Sequence, residues 1–325
     1  MVMKKILEVK QLKVYFLLRR KIFKPAQVVH AVDGITFDVY EGETLGIVGE
    51  SGCGKTSLAR SLVGLTKITA GSVIFREHKH LETASDLEWR SLHREIQFIF
   101  QDPVAALNPR MTIGEIISEP LKSYFPHMDK KEITVAVLDM MQLVGISTAD
   151  INRYPSEFSG GQCQRIAIAR ALILKPKLIV CDESVSALDV SIKAQIINLL
   201  KDLQRQLNLT IIFISHDLGV IKHISNRVLV MYLGNIMELA SRDILYSKCH
   251  HPYTKALLSA VPVANPLVER QRSLHILKGD LPSPINPPVG CVFSCRCPLV
   301  DDNCRAARPQ PLVTDDGSLV ACFKA

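Results

Sequence analysis

No long apolar run occurs in this chain. No stretch of its 325 residues approaches the roughly 18 consecutive apolar residues that span a bilayer, and the opening Met1-Val2-Met3-Lys4-Lys5-Ile6 lacks the apolar core and cleavage site of a secretory signal. The expectation is a cytosolic protein that meets a membrane only if something else holds it there. Blocks of like charge are missing too: the net charge is +7, yet Lys and Arg are spread along the chain, which is the pattern of a solvated surface and not of a nucleic-acid-binding tail. The densest basic group, Arg19-Arg20-Lys21 with Lys24, reads as solvated surface or as a contact to lipid headgroups. With 47% hydrophobic and 22% charged residues, large-scale disorder is excluded, and the length allows one large or two modest domains. Cysteine is not scarce, but a reducing compartment argues against reading the nine cysteines as disulfides. Five of the nine fall between Cys291 and Cys322, which sets the C-terminus apart.

The strongest feature present is Gly49-Glu50-Ser51-Gly52-Cys53-Gly54-Lys55-Thr56, which fits the phosphate-loop pattern G-x-x-x-x-G-K-[ST] at every fixed position. Its flanks are the required ones: the apolar run Glu43 to Val48 reads as a buried strand, and Ser57 to Val63 reads as a helix. Such a loop turns backbone N–H groups and a helix N-terminus toward a β-phosphate, with Lys55 reaching the β and γ oxygens and the Thr56 hydroxyl placed for Mg²⁺.

Upstream, Ile6 to Val14 and Val28 to Val39 alternate like half-buried strands, with Tyr15 and Phe16 closing the first and a basic loop around Lys21 to Pro25 between them. Downstream, Ser72 to Phe75 and Ile96 to Phe100 read as strands, the second ending at Gln101-Asp102-Pro103. A mostly helical stretch follows from Thr112 to about Gly145, opened by a capping-box spacing from Thr112 to Glu115. Ser159 is the natural N-cap of a helix running through Ala171, and Gly160 and Gly161 expose bare N–H groups at its start, a second place for an anion. Leu178 to Asp182 with Glu183 is an apolar strand ending in two carboxylates. After a phosphate loop, the first acid of such a pair suits Mg²⁺ and its waters, and the next suits a general base. Ser186 to Asp189 leads into a helix over Val190 to Leu207; the strand Leu209 to Ile214 then ends at Ser215-His216-Asp217, where a histidine suits a phosphate contact. Strands over Arg227 to Tyr232 and Asn235 to Leu239 complete this region.

These elements, from about Leu7 to Ala240, resemble in their order the nucleotide-binding subunit of ATP-binding-cassette (ABC) transporters. The resemblance implies an α/β fold, an ABC-type P-loop NTPase with an antiparallel β subdomain and a helical subdomain over about residues 103–170. It assigns residues 1–240 to the nucleotide-binding domain and 241–325 to a small Cys-containing extension. By the same resemblance Gly49 to Thr56 is the Walker A loop, so that Gly49, Glu50, Ser51, Gly52, Cys53, Gly54, Lys55, Thr56 and Ser57 contact ATP. Gln101 is the Q-loop residue, Ser159, Gly160, Gly161 and Gln162 are the signature, and Leu178 to Glu183 is the Walker B strand. Ser186 to Asp189 is the D-loop, with Asp189 in the ATP-contacting set, and His216 is the switch histidine. The family's stacking aromatic falls at Phe16, with Tyr15 as the alternative because the long loop before Val28 blurs the register. Cys163 departs from the usual polar residue and is expected to be tolerated, since the four residues before it make the phosphate contacts in the family.

The implied function is ATP hydrolysis. In the family two cassettes close head to tail, each ATP lying between one Walker A and the other's signature; Glu183, His216 and Gln101 become catalytic, and Thr56, Gln101 and Asp182 hold Mg²⁺. His251 to Pro262 and Gly279 to Pro288 resemble the C-terminal extension of oligopeptide and dipeptide importer ATPases. That implies a peripheral protein on the cytoplasmic face of the inner membrane, docked to two permease subunits, paired with a homologous second ATPase, and served by an extracytoplasmic solute-binding protein through the permease. Nickel or another small solute is an alternative cargo. A soluble cassette ATPase acting on DNA or ribosomes is disfavoured, because only about a hundred residues separate Lys55 from Ser159, without sustained heptads, and there is one cassette. A partner that clamps nucleotide without cleaving it is disfavoured by the presence of Glu183 and His216.

Cys291, Cys297, Cys304 and Cys322 match cysteines of that extension, where some members carry a [4Fe–4S] cluster. Four thiolates are what such a cluster needs, and the surrounding Pro- and Gly-rich sequence has little apolar material for a core. Zinc and free thiols stay open. Gaps of five, six and seventeen residues favour the cluster over zinc, whose cysteines usually pair two to four apart. Cys295 is a possible replacement for Cys297.

Overall fold

The computed structural model describes residues 4–18, 27–262, 277 and 279–325. The basic group at 19–24 and most of the loop that contains it therefore lie outside the described residues. Along the chain the strands are β1 (Lys5–Leu17), β2 (Val28–Tyr40), β3 (Thr44–Val48), β4 (Ala70–Phe75), β5 (Lys79–His80), β6 (Ile96–Ile99), β7 (Leu178–Asp182), β8 (Thr210–Ile214), β9 (Arg227–Tyr232), β10 (Asn235–Ser241), β11 (Leu312–Val313) and β12 (Leu319–Val320). The α-helices are α1 (Lys55–Leu62), α2 (Asp86–Leu92), α3 (Pro103–Ala106), α4 (Ile113–Tyr124), α5 (Lys130–Leu143), α6 (Gly160–Leu172), α7 (Val190–Leu207), α8 (Leu218–Ile224), α9 (Arg242–Lys248), α10 (Pro252–Ser259) and α11 (Asp302–Ala306). The chain divides into two compact units, one of residues 1–83 with 215–325 and the other of residues 84–214. The expected boundary at 240 falls inside β10.

The first unit contains an antiparallel sheet in the order β2-β1-β4-β5. Leu7 faces Val39 and Val9 faces Phe37, so the apolar alternation of the two long strands lies on one buried face. β1 does not stop at its aromatics but continues to Leu17, and Gln11, with φ 48°, sits where its register shifts between Val9 and Leu12. A second set runs β11-β12-β10-β9-β3, in which β3 is parallel to β9 and every residue of β3 is buried. A strand covered on both faces must be apolar throughout, which is why the segment before the phosphate loop shows no alternation. β9 and β10 join through Leu233 and Gly234, both at positive φ, the two-residue turn that suits the twist of a hairpin.

In the second unit β8, β7 and β6 form a parallel set, with Cys181 opposite both Ile99 and Phe213. The helix α6 packs against α3, α4, α5 and α7. The amphipathic α7 buries Ile196, Ile197, Leu200 and Leu203, starts at the Asp189 N-cap and ends at Asn208, whose φ of 49° stops the helix. Each fully buried Leu or Ile of this kind contributes about 1.5–3 kcal/mol. The capping boxes at Thr112/Glu115 and Ser159/Gln162 are formed, and a third, Ser85/Glu88, opens α2, an element the sequence reading did not anticipate.

Candidate functional site

In the first unit the phosphate loop curls around its own lysine. Lys55 is buried, and its Nζ donates to the carbonyls of Gly49 at 2.8 Å and Glu50 at 3.0 Å. Gly54 caps α1 with φ 103°, and a Cβ there would collide with the carbonyl oxygen of Ala31, so the position admits only glycine. The loop is also pinned from the β9–β10 turn, where the Gly234 N–H donates to the Cys53 carbonyl at 2.9 Å. Ser51 and Gly52 are exposed, Thr56 and Ser57 lie partly exposed in the first turn of α1, and Cys53 is buried, its thiol pushed up by desolvation. The helix starts at Lys55, two residues before the expected Ser57, so that the N–H groups at its first turn adjoin the loop.

The other first-unit candidates sit at strand ends. His216 is exposed just after the buried Ser215, whose N–H donates to the Ile47 carbonyl at 3.2 Å and whose hydroxyl accepts from the Asp217 N–H at 3.0 Å. Tyr15 is occupied: its ring packs 4.4 Å from that of His30 and its hydroxyl donates to Asp33 at 2.5 Å. Phe16, the next residue, is 40% exposed.

In the second unit Asp182 is buried at the last position of β7, and Glu183 follows in a left-handed conformation, φ 47°. That corner turns Glu183 off the strand, with its N–H held by the Ile214 carbonyl at 3.0 Å and its own carbonyl taken by the Ser186 hydroxyl at 2.9 Å. A non-glycine residue in this region costs about 1–3 kcal/mol, and such strain collects at functional sites. Gln101, just beyond β6, donates from Nε2 to the Glu183 carboxylate at 3.2 Å, so the structure brings these two expected site residues together. Cys181 beside them is fully buried, its thiol pushed up to about 12 by desolvation.

Ser159 and Gly160 are exposed at the start of α6, where the Ser159 hydroxyl accepts from the Gln162 N–H at 3.4 Å and the Gln162 side chain accepts from the Ser159 N–H at 3.0 Å. Gly161 is buried and lets α6 approach α7, since a Cβ would strike Ile192. Cys163 is buried, its thiol against the Pro155 carbonyl at 3.6 Å, which takes it away from the exposed N-terminus. Asp189 is exposed; the Ile192 N–H and Ser191 hydroxyl hold its carboxyl below the usual range.

In the tail, Cys291 and Cys304 are buried, Cys297 and Cys322 are half-buried, and Cys295 is exposed. Burial pushes the Cys291 thiol up to about 11, with the neighbouring Cys304, Cys297 and Cys322 adding to the shift. Cys297 and Cys322 are raised by burial as well, and each is further raised by other members of the same four. Cys295 acts instead on Tyr232. The backbone joins two of the four expected cysteines, with the Cys291 N–H donating to the Cys304 carbonyl at 2.8 Å. Among the described residues no group of three or more His, Cys, Asp or Glu is arranged to hold a metal ion.

Sequence reasoning missed what the tail does to the loop. The Glu50 N–H donates to the Tyr253 hydroxyl at 2.9 Å, and the Glu50 carboxylate pairs with Arg296 at 2.7 Å. Partners more than 200 residues apart leave no spacing to read.

Comparison with known proteins places these features. Residues 32–186 match the family described as "ABC transporter", and residues 237–304 match "Oligopeptide/dipeptide transporter, C-terminal region". The "Oligopeptide transport ATP-binding protein OppF" of Haemophilus influenzae is 55% identical over 322 residues, covering 98% of this chain and 97% of that protein. Its Escherichia coli counterpart is 56% identical over 309 residues, covering 94% and 92%. Among solved structures, a dimeric ATP-binding cassette in a post-hydrolysis state bound to ADP and Pi aligns with a TM-score of 0.65 at 26% identity, covering 73% of this chain and 98% of that one. The fold and the loop define an ATP-hydrolysing ABC cassette, for which ATP with Mg²⁺ is the general requirement. Within that class the chain belongs to the family of oligopeptide and dipeptide transporter ATP-binding subunits.

Proposed function

We propose that this chain is the ATP-hydrolysing subunit of an importer of di- or oligopeptides, driving transport by ATP-dependent closure against a homologous second ATPase. The observation that carries this reading is the presence, in one chain, of the cassette match at 32–186 and the peptide-transporter match at 237–304. No helix among the described residues is long and apolar enough to cross a membrane. Two permease subunits therefore supply the membrane path and hold the chain peripherally on the cytoplasmic side of the inner membrane, and a solute-binding protein delivers cargo from outside.

The residue roles follow from the chemistry of each position. Lys55 exchanges its two carbonyl partners for the β and γ phosphates, and the amides of Gly49 to Ser57 complete the anion cradle. Mg²⁺ neutralises phosphate charge when bound, and the Thr56 hydroxyl, the Gln101 amide oxygen and the Asp182 carboxylate are oxygen donors of the kind it prefers. Glu183 takes the proton of the attacking water while Gln101 fixes its carboxylate, and His216 holds the γ-phosphate and that water. Phe16 stacks on the adenine. Ser159, Gly160, Gly161, Gln162 and Asp189 serve the nucleotide on the partner's Walker A.

Cys291, Cys297, Cys304 and Cys322 are the thiols we assign to a [4Fe–4S] cluster, with zinc as the alternative. Cys291 and Cys304 are buried and the Cys291 N–H donates to the Cys304 carbonyl at 2.8 Å; ligation of the four thiols would cross-link the segment from 291 to 322. Iron, sulfide and zinc analysis after anaerobic purification separates the two.

Reconstitution with the permease, partner ATPase and binding protein tests the transport reading. The expected result is ATP hydrolysis stimulated by peptide; stimulation by nickel alone, or none by any solute, contradicts it.

A further inference from the structure

Glu50 in the phosphate loop is gripped at three atoms. Its carbonyl accepts from Lys55 Nζ at 3.0 Å, its N–H donates to the Tyr253 hydroxyl at 2.9 Å, and its carboxylate pairs with Arg296 Nη1 at 2.7 Å. The first grip is the one that ATP removes, because the lysine that caps the Gly49 and Glu50 carbonyls is the group that phosphates recruit. What then holds Glu50 is the Cys53 N–H on its carbonyl at 3.2 Å, from within the loop, and the tail on its N–H and carboxylate. A carboxylate left unpaired beside a triphosphate would also repel it, and the Arg296 guanidinium cancels that charge.

Both tail groups are rigidly mounted. The rings of Tyr232, Tyr253 and Phe293 form a buried cluster with centroids 4.8–5.4 Å apart. The Arg296 N–H donates to the Phe293 carbonyl at 3.0 Å, and its guanidinium lies 5.9 Å from the Tyr232 ring centroid. The Arg296 side chain is only 10% exposed, so its pairing with Glu50 is sheltered from water. Tyr232 closes β9, immediately before the turn whose Gly234 N–H holds the Cys53 carbonyl. The loop is thus braced through one aromatic cluster that spans strand, helix and tail.

We propose that Arg296 and Tyr253 are positioning residues for ATP, acting through Glu50 to hold the phosphate loop in its receptive shape and to neutralise its carboxylate. This rests on the reading of residues 49–57 as the ATP loop and deepens it by making the tail a determinant of nucleotide affinity.

Titration of the purified full-length chain with the fluorescent nucleotide mant-ATP tests it. Arg296→Ala should raise Kd roughly tenfold, the size of a modest coupling between sites, and Arg296→Lys should recover most of that loss. In a Glu50→Gln background the same Arg296→Ala replacement should change Kd by less than about twofold, because the carboxylate through which it acts is gone. Tyr253→Phe, which keeps the ring in the cluster and removes only the hydroxyl, should raise Kd roughly threefold and gives a reading even if Arg296→Ala does not fold. Wild-type affinity in both Arg296→Ala and Tyr253→Phe overturns the proposal, as does an Arg296→Ala effect undiminished by Glu50→Gln, which would mean that the guanidinium acts on the phosphates directly. A wild-type chain that binds no mant-ATP refutes the reading of the loop itself, a distinct outcome.

Discussion

The motif contacts inside the phosphate loop and the signature differ in range from the contacts that hold the C-terminal tail. At the phosphate loop Lys55 reaches back to Gly49 and Glu50, and at the signature Ser159 and Gln162 cap each other, so each arrangement closes within a few residues. The tail is held at long range: Arg308 pairs with Asp33, Tyr253 and Arg296 grip Glu50, and β12 adds to β10. Shorter-range contacts add to this: the buried Glu238 carboxylate accepts from the N–H groups of His250 and His251, Asp301 caps α11, and Asp316 accepts from Thr314 and Ser318. Short-range chemistry imposes a spacing and survives as a motif, whereas long-range chemistry depends on the fold around it.

Placing a carboxylate at the signature gives the largest expected effect. Gly160→Asp puts an acid at the start of α6, which favours the helix locally, yet we expect hydrolysis to fall at least about a hundredfold. In mixed assemblies carrying the change only in this subunit, the loss should appear at the nucleotide on the partner's Walker A. Loss confined to this subunit's own Walker A site would break the distinction between a locally built motif and a function exerted on another chain.

A smaller effect probes the tail. His251 is buried, its Nδ1 accepts from the Tyr253 N–H at 3.0 Å, and its ring lies 5.6 Å from that of Phe293. Desolvation lowers its pKa from 6.5 to about 4, opposed by a hydrogen bond with the Ala321 backbone and assisted by the charge of Lys255; Glu238 faces the neighbouring amides. The folded pKa is below the unfolded one, so the unfolded chain takes up the proton first. Stability is complete above pH 6.5 and is lost as pH falls toward 4, by about 3 kcal/mol in all. Denaturant titrations from pH 7 to 4.5 should show this loss in the wild type and a flatter profile in His251→Gln; identical profiles would mean that no buried neutral histidine secures the tail.

The same contrast explains how much of the molecule was legible in advance. The loop at 49–56, the acids Asp182 and Glu183 at a strand end, and the caps at Thr112 and Ser159 are fixed by backbone needs that only certain residues meet. The Ser85/Glu88 box has the same spacing and marks the start of α2. The left-handed corner at Glu183 and its bond to Gln101 left no trace, since neither residue type demands it. Nor does sequence alone distinguish Cys295 from Cys297, one residue type two positions apart, of which the first is exposed and the second half-buried. The grip of Arg296 and Tyr253 on Glu50 has no local signature at all.

The central claim is that this chain hydrolyses ATP with Glu183 as the base. Phosphate release by the assembled transporter, compared between wild type and Glu183→Gln and read beside mant-ATP binding, tests it most directly. Binding should be retained while hydrolysis at this subunit's Walker A falls about a hundredfold or more, leaving an ATP-bound closed dimer. Hydrolysis by Glu183→Gln at the wild-type rate would contradict it.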